Sequence, residues 1–422
     1  MFKKTLIAEF FTTINFHIFM RTIGLLTLGL PKLRYGNYTS YLENQFLSYI
    51  GSRNSKIVSF YNGRSALFHA LKMIGINSKD EVIVSAYTCV SVSNAVIQSG
   101  AKIVYSDIDI KNLGLDIDNL NKNINKNTKV IIVQHTFGKP ANIKKIIEIA
   151  KEKNILIIED CAHSLGSRID GKKLGSFGDF SIFSTGRDKV ISGVTGGFLI
   201  VNNEKYFDKI IEIKEKLKMP GRVLTIKNLF YNITAYLSYK FYDFLGLGKI
   251  IIFLSRKLNI ITEILTIREK NCDFNDFNLL LPNSLAYLAS KEFQKTKLYS
   301  THRRTIAEYY DEKIKSKYIK ILFHKSQNEK NNYFRYPIII QDETKKNKLY
   351  NYMKKHNILL GNSWSGINIV PIGSNLKKSK YIVGSCKNAE HISKHTLLLP
   401  NHKLIGFEDA KKITKLINNF LK

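Results

Sequence analysis

One aspartate and one lysine follow apolar runs of this sequence, where their side chains could act together. Asp160 ends the run ILIIED, and Lys189 lies in the turn STGRDKVISGVTGG, which includes the end of the run FSIFS. A lysine amine is almost fully protonated at pH 7, so it acts as a nucleophile only where its surroundings lower its pKa. A nearby carboxylate and amine suit a cofactor that carries an aldehyde and a basic ring nitrogen. Taken alone, Asp160 also fits a residue that caps a helix.

A candidate phosphate-binding sequence lies upstream. In YNGRSALFHAL, Asn62 and Gly63 directly precede a helix that we predict to begin near Ser65. Glycine lets the backbone approach a ligand closely, and the first N–H groups of a helix attract a phosphate. Ser184, five residues before Lys189, offers a hydroxyl to the same group. Residues suited to an aldehyde, a ring nitrogen and a phosphate together indicate a site for pyridoxal phosphate. Taken alone, the NGRS stretch also fits an ordinary helix cap, and Ser184 also fits an ordinary turn.

Short apolar runs that do not alternate with polar residues recur between about residues 40 and 201. They are EVIVSAY, KIVYSDI, KVIIVQH, ILIIED, DFSIFS and GGFLIV. Such runs are typical of strands that are buried on both faces, and helical stretches such as ANIKKIIEIAKEKN separate them. Alternating strands and helices predict an α/β fold with a mostly parallel sheet. Ligands bind such sheets at the carboxyl ends of the strands, where Asp160 and the Lys189 turn would meet.

The pattern changes along the chain and divides it into four segments. We predict an N-terminal arm over 1–40, a large cofactor-binding α/β domain over 41–205, a helical insertion over 206–277, and a linking helix with a small α+β domain over 278–422. The insertion is aromatic, apolar and basic, but its uncharged run is too short to span a bilayer. We expect it either to pack on the core or across a dimer, or to contact a membrane surface peripherally.

The composition excludes several classes of partner. The net charge is +31, but lysine is spread along the whole chain and no nucleic-acid-binding motif occurs, so we expect no nucleic-acid partner. Four separated cysteines predict neither disulfides nor a metal site, and they suit the reducing cytoplasm. The N-terminus does not read as a signal peptide. Arg21 interrupts the uncharged stretch 10–31, which argues against a membrane span there.

The motifs, in their order, resemble one known family. NGRSAL, VQHTFGKPANI, IIEDCAHSLGS, GSFGDFSIFSTGRDKVISGVTGG and TLLLPNH follow one another as in the DegT–StrS family of pyridoxal-phosphate sugar aminotransferases. The resemblance covers about residues 36–201 and resumes from about 278 to the C-terminus. It implies the type I, aspartate aminotransferase-like fold of pyridoxal-phosphate-dependent transferases and a homodimer. It also implies transfer of an amino group from glutamate or glutamine to a keto-sugar nucleotide, as expected in polysaccharide or amino-sugar biosynthesis.

The resemblance also assigns roles by position. Lys189 matches the lysine that binds the cofactor aldehyde, and Asp160 matches the partner of the ring nitrogen. His163 falls where the family has Gln or His near the phenolic oxygen of the ring. The phosphate would be held by a further set of residues, which comprises Ser184, the amides of Gly63 and Arg64, and, across the dimer, Asn278.

The sequence also departs from the family at the site. Cys89 stands where many members place a ring that stacks on the cofactor, which leaves Tyr87 or an apolar side chain for that role. Arg187 and Asp188 replace the usual Pro and Thr before the lysine. The main alternative is an inactive or regulatory relative of the fold at a membrane surface. The retained Lys189 disfavours it, and also disfavours the family's dehydratases, which carry histidine there. A nucleotide-dependent oxidoreductase is a poor fit, because GLGKII lacks the third glycine.

Overall fold

The computed structural model describes residues 4–51, 54–323 and 326–421 of the chain. A seven-stranded sheet forms its centre. Its strands lie in the order Lys56–Phe60, Gly197–Val201, Phe180–Ser184, Leu156–Asp160, Thr128–Gln134, Glu81–Ser85 and Lys102–Ser106. The strand Gly197–Val201 runs antiparallel to both of its neighbours, and the other adjacent strands are parallel. The prediction of an α/β fold with a mostly parallel sheet is therefore confirmed.

Both faces of this sheet are covered by helices, which explains why its strands are apolar without alternation. Ile157 and Ile158 point to opposite faces, and each is buried in a different core. Helices Gly63–Ile74 and Val90–Ser99 cover one face. The other face is covered by helices Tyr38–Ile50, Ile143–Glu152 and Asn283–Phe293. Burial of apolar area on both faces is the main force that holds these layers together.

The small C-terminal domain contains a three-stranded antiparallel sheet with Tyr336–Ile340 between Ile319–Ile321 and Thr396–Leu399. The last helix of this region is Phe407–Phe420. Further helices are Ile117–Asn123, Thr296–Lys313, Glu343–Lys355 and Lys387–His395. The remaining short strands are Leu6–Ile7, Thr88–Cys89, Arg168–Ile169, Lys172–Lys173, Glu329–Lys330, Ile358–Leu359 and Ile369–Val370, and 3-10 turns occur at Leu30–Lys32, Thr136–Gly138 and Glu204–Tyr206.

The N-terminal residues pack along the rest of the molecule. Strand Leu6–Ile7 pairs in parallel with Ile358–Leu359 of the C-terminal domain. The buried carboxylate of Glu9 accepts hydrogen bonds from the Asn362 and Ser363 amides, each at 3.0 Å. Helix Phe16–Thr27 follows. The N-terminal segment therefore joins the small domain to the surface on which the insertion packs.

The segment 206–277 consists mainly of helices and loops. Its helices are Lys209–Lys216, Arg222–Lys240, Leu247–Lys257 and Ile267–Lys270. The second of these lies against the N-terminal helix, where the rings of Phe19 and Tyr236 stack with centroids 4.6 Å apart. Beside them the Asn232 side-chain amide donates to the Thr22 hydroxyl at 3.1 Å. Across the described ranges, no helix combines the length and apolar character needed to cross a bilayer.

Candidate active site

A cleft opens where the carboxyl ends of two central strands meet the start of a helix. The strands are Leu156–Asp160 and Phe180–Ser184, and the helix is Gly63–Ile74. The cleft contains about 1010 Å³ of space, part of which is open to solvent. Asp160 and Lys189 both line it. The structure therefore brings the two residues selected from the sequence to one site.

Asp160 is fixed at the carboxyl edge of the sheet. It lies opposite Ile182 and Gln134 of the two adjacent strands. Its Oδ1 accepts a hydrogen bond from the Ala162 amide at 3.0 Å. Burial raises the pKa of the carboxyl, whereas the Ala162 amide and the charge of Lys189 oppose that rise. A buried carboxyl of this kind requires a polar or cationic partner, which a protonated ring nitrogen would supply.

Lys189 is partly buried in the turn that follows strand Phe180–Ser184. Burial lowers the pKa of its amine, and Cys89 and Asp160 partly oppose that shift. The positive charge of Arg335 lowers the same pKa further. A lowered pKa increases the neutral fraction of the amine, which is the form that attacks a carbonyl carbon. Lys189 therefore differs in environment from a solvated surface lysine.

Close packing of glycines holds the Lys189 turn in place. A Cβ added to Gly193 would lie 2.5 Å from the Leu285 carbonyl oxygen of helix Asn283–Phe293. Gly196 has a φ of +139°, and a Cβ on Gly197 would lie 2.0 Å from the Asn62 carbonyl oxygen. The glycine pair thus lets the chain turn into the next strand. It also places that strand directly against the start of the helix.

The start of helix Gly63–Ile74 and Ser184 form a small polar space. Asn62 is extended, with φ −153°, and its Oδ1 caps the helix by accepting from the Ser65 amide at 2.9 Å. A Cβ added to Gly63 would lie 3.2 Å from the Ser184 Cβ and 3.4 Å from its Oγ. The serine hydroxyl therefore faces the first amides of the helix. This arrangement can bind a phosphate, because both the amides and the helix dipole favour an anion.

The side chain of Arg64 extends from the same helix start to the insertion. Its guanidinium forms an ion pair with Glu269, whose carboxylate is completely buried. The guanidinium also lies over the Phe274 ring, 5.2 Å from the centroid. The Arg64 charge is therefore neutralised by the insertion, which leaves its backbone amide for the predicted phosphate contact.

His163 lies behind the cleft among aromatic rings rather than on its surface. The imidazole stacks on Phe334 with centroids 4.7 Å apart, and Phe137 and Trp364 lie near it. Its Nδ1 accepts from the Phe137 amide at 3.4 Å. Burial, assisted by the Lys189 charge, holds the pKa of His163 well below its usual value. His163 is therefore a neutral ring close to Lys189, and its contact with a cofactor stays a prediction.

Asn278 lies away from the cleft formed by the described residues of its own chain. Its carbonyl oxygen accepts from the Lys218 amide at 2.8 Å. Its side chain hydrogen-bonds to His69, and that bond raises the pKa of His69, although burial has the larger effect and lowers it to about 4. A contact between this asparagine and the phosphate across a dimer therefore stays a prediction.

The cleft has further polar residues that the sequence analysis did not select. They include Tyr61, Asn228, Thr262 and Glu263. The Asn228 amide donates to the Tyr61 hydroxyl at 2.6 Å, and the Thr262 hydroxyl donates to Asn228 Oδ1 at 3.0 Å. The insertion, which carries the last three of these residues, therefore forms one wall of the cleft. They are scattered along apolar helices and loops, so no spacing in the sequence identified them.

One of the two alternatives for stacking on the cofactor, Tyr87, lies outside the described lining of the cleft. Tyr87 is completely buried, and its hydroxyl donates to the Trp364 carbonyl oxygen at 2.6 Å. It does not belong to the described lining of the cleft, whereas Cys89 does. The apolar side chains that line the cleft are Leu67, Val92, Ala162, Ile182, Val194, Ile264 and Leu265. An apolar contact is therefore the remaining alternative.

Comparisons with known proteins agree with this geometry. The model of the DegT/DnrJ/EryC1/StrS aminotransferase family matches residues 27–245 and 259–418. The chain is 32% identical over 201 residues to GDP-perosamine synthase of Vibrio cholerae. The alignment covers 48% of this chain and 53% of that protein. It is 35% identical over 179 residues to GDP-perosamine synthase of Escherichia coli O157:H7. That alignment covers 42% of this chain and 49% of the relative. These alignments thus span about half the length of the curated relatives.

Two solved structures share the fold over nearly the whole chain. The aminotransferase TlmJ from Streptoalloteichus hindustanus superposes with a TM-score of 0.74 at 18% identity, covering 100% of this chain and 99% of that one. PseC from Helicobacter pylori, an aminotransferase involved in the biosynthesis of pseudoaminic acid, gives 0.74 at 18% identity, covering 99% of each chain. These likenesses agree with the type I fold that was predicted. Because the family model matches most of this chain, the chain belongs to the DegT/DnrJ/EryC1/StrS aminotransferase family.

Proposed function

We propose that this chain is a pyridoxal-phosphate-dependent aminotransferase that transfers an amino group from glutamate or glutamine to a keto-sugar nucleotide. The observation that carries the proposal is the placement of Asp160, Lys189, Gly63 and Ser184 around one cleft. A partly buried carboxyl, a partly buried amine and a helix start would serve three different parts of one cofactor. Family membership supports the reaction type.

The donor groups of the cleft fit the cofactor. A side chain at residue 63 would fill the space beside Ser184, so the glycine there keeps room for a phosphate. The depressed pKa of Lys189 suits an amine that bonds to an aldehyde. The raised pKa of Asp160 reflects a buried carboxyl that a ring N–H would stabilise.

The residues of the cleft then have distinct roles. When bound, pyridoxal phosphate supplies a ring that accepts electrons from the carbon attached to the amino nitrogen. Asp160 would keep a proton on the ring nitrogen. Lys189 would hold the cofactor aldehyde and, once released, would move a proton to or from the substrate carbon as general base and acid. Ser184 and the amides at residues 63 and 64 would anchor the phosphate, and the apolar lining would exclude water.

A nucleotide sugar is the acceptor that best suits this cleft. The space is wide and partly open, which accommodates a substrate larger than an amino acid. The activity for which both GDP-perosamine synthases are named supports the same substrate class. Polysaccharide or amino-sugar biosynthesis in the cytoplasm is the process that we propose for this reaction.

The visible absorbance of the purified protein tests the proposed cofactor. We expect protein supplied with pyridoxal phosphate to be yellow, because an amine bonded to the aldehyde absorbs visible light. Lys189→Ala should abolish the band, whereas the exposed Lys153→Ala should retain it. Mixing the coloured protein with glutamate should bleach the band, since the amino group passes to the cofactor. Protein that stays colourless would favour an inactive relative of the fold.

We also propose that the enzyme is a homodimer. Asn278 is held at the surface of its own domain by Lys218 and His69, away from the described cleft of its own chain. That position leaves it able to serve a second subunit, as the family resemblance implies. Two sites would then share residues across one two-fold interface.

We further propose that the insertion contacts the inner face of an anionic membrane. Helix Leu247–Lys257 packs through its small residues, since a Cβ on Gly248 would lie 2.0 Å from the Ser238 carbonyl oxygen and Ser255 is buried. Several of its large apolar residues are exposed, including Ile250, Phe253, Leu254 and, at its end, Leu258, whereas Ile252 packs against the core. Lys249, Arg256 and Lys257 accompany them. Exposed apolar and basic side chains on one helix suit a headgroup boundary.

A further inference from the structure

Arg187 is a buried cation in the cleft wall, two residues before Lys189. It is only 7% exposed, yet it belongs to the lining of the cleft. The Tyr231 ring covers one face of the guanidinium, with 3.9 Å between Cζ and the ring centroid. The guanidinium donates to the Thr262 carbonyl oxygen at 2.5 Å and also to the Thr262 hydroxyl. Stacking and this hydrogen-bonded edge together fix its orientation.

The charge of Arg187 is not paired in the way that the charge of Arg64 is. The charge of Arg64 is paired with the buried Glu269. The charge of Lys189 interacts favourably with Asp160. By contrast, within the described ranges the guanidinium of Arg187 has hydrogen bonds to neutral groups and no ion pair.

The acidic residues near Arg187 do not neutralise it. Asp188 forms its ion pair with Arg335, at 3.9 Å. Glu263 lies at the exposed mouth of the cleft, without an ion pair to Arg187 among the described residues. Burial lowers the pKa of Arg187, whereas Tyr231, Tyr61 and Asp188 oppose that shift without forming an ion pair with the guanidinium. A buried guanidinium in this position is costly until an anion binds it.

A guanidinium carries five N–H donors, and Thr262 accepts hydrogen bonds from only some of them in Arg187. The remaining N–H groups of this fixed, buried guanidinium can donate to two oxygens that are bonded to one carbon or phosphorus atom. Resting on the proposed aminotransferase function, we propose that Arg187 binds a carboxylate or phosphate group of a substrate. The two sources of such a group are the carboxylate of the amino donor and the diphosphate of the nucleotide sugar. The usual proline of the family could make no such contact.

Steady-state kinetics of Arg187→Gln would test this assignment. We expect KM for one substrate to rise about tenfold or more, which is the size of one lost charge-assisted contact. The dissociation constant of pyridoxal phosphate should change less than about twofold, a change too small to represent a lost contact. A raised KM for glutamate identifies the carboxylate, and a raised KM for the nucleotide sugar identifies the diphosphate. Arg222→Gln removes the same charge from an exposed position of the insertion and is the matched control.

Direct binding separates this inference from the proposed reaction. Titration calorimetry with glutarate and with inorganic pyrophosphate, on protein loaded with pyridoxal phosphate, requires no turnover. Wild-type protein should bind one of the two probes, and Arg187→Gln should lose that binding. If the glutamine variant does not fold, Arg187→Lys keeps the charge without the planar fork and should weaken the same probe. Binding that is unchanged, absent in wild type, or altered only for the cofactor would overturn the assignment.

Discussion

The protonation state of His402 follows from its two neighbours. Its Nε2–H donates to the Ile7 carbonyl oxygen at 2.7 Å, and its Nδ1 accepts from the Leu404 amide at 3.4 Å. A second ring proton would face an N–H group and would have no acceptor. Burial accordingly lowers the pKa of His402 to about 3, even though the bond to Ile7 favours the charged form. The neutral ring therefore joins the N-terminal strand to the C-terminal domain.

This arrangement predicts how stability depends on pH. A histidine whose pKa is lower in the folded state than in the unfolded state contributes its full stabilisation above the unfolded pKa of 6.5. That contribution is lost as the pH falls from 6.5 toward the folded pKa of about 3. The unfolding free energy should therefore fall by up to about 1.4 kcal/mol for each pH unit in that window because of His402 alone. Urea unfolding at several pH values should show a shallower slope for His402→Gln. Equal slopes would mean that His402 is protonated in the folded state.

Residues at the ends of elements were easier to predict than residues that depend on tertiary packing. Asp160 and Gly63 could be selected because a strand end and a helix start leave local patterns in the sequence. The ring stack around His163 could not, since Phe334 and Trp364 come from the distant C-terminal domain. The same limit applies to Arg187, whose partner Thr262 belongs to the insertion. The sequence showed these residues without showing what they contact.

The strands of the sheet and the turn after Ser184 were predictable as elements, because continuous Val and Ile runs have few other structures available. The antiparallel direction of Gly197–Val201 was not, since an apolar run contains no information about its direction. For the insertion, the sequence predicted helical character and left its packing open. The structure shows that helix Leu247–Lys257 buries its small residues Gly248 and Ser255 and exposes several of its large apolar ones.

Vesicle binding tests the exposed side of this helix. We expect the protein to sediment with vesicles of phosphatidylserine and phosphatidylcholine but not with phosphatidylcholine alone, because the helix carries both apolar and basic side chains. Replacing Phe253 and Leu258 with serine should reduce binding about tenfold or more, since each is a large apolar group. Ile382→Ser with Val383→Ser removes two similarly exposed residues elsewhere and is the control. An equal loss in both variants would contradict a membrane contact by this helix.

At the scale of the whole molecule, the proposed dimer divides each active site between two chains. Mixed dimers of Lys189→Ala chains and Asn278→Ala chains should regain about half of the wild-type activity per dimer, because one of the two sites keeps both residues. Differently tagged chains, purified through both tags, would provide such dimers. Each variant alone should be inactive or strongly impaired. Inactive mixed dimers, or a solution mass of 48.4 kDa for the wild type, would contradict a shared site.

The ion pair between Arg64 and the buried Glu269 has a consequence for how this chain can evolve. A descendant that changed only Glu269 would leave an uncompensated cation beside the predicted phosphate position, and a descendant that changed only Arg64 would leave a buried carboxylate. Either single step is disfavoured. We therefore expect the two residues to change together, so that related chains that lack one should also lack the other.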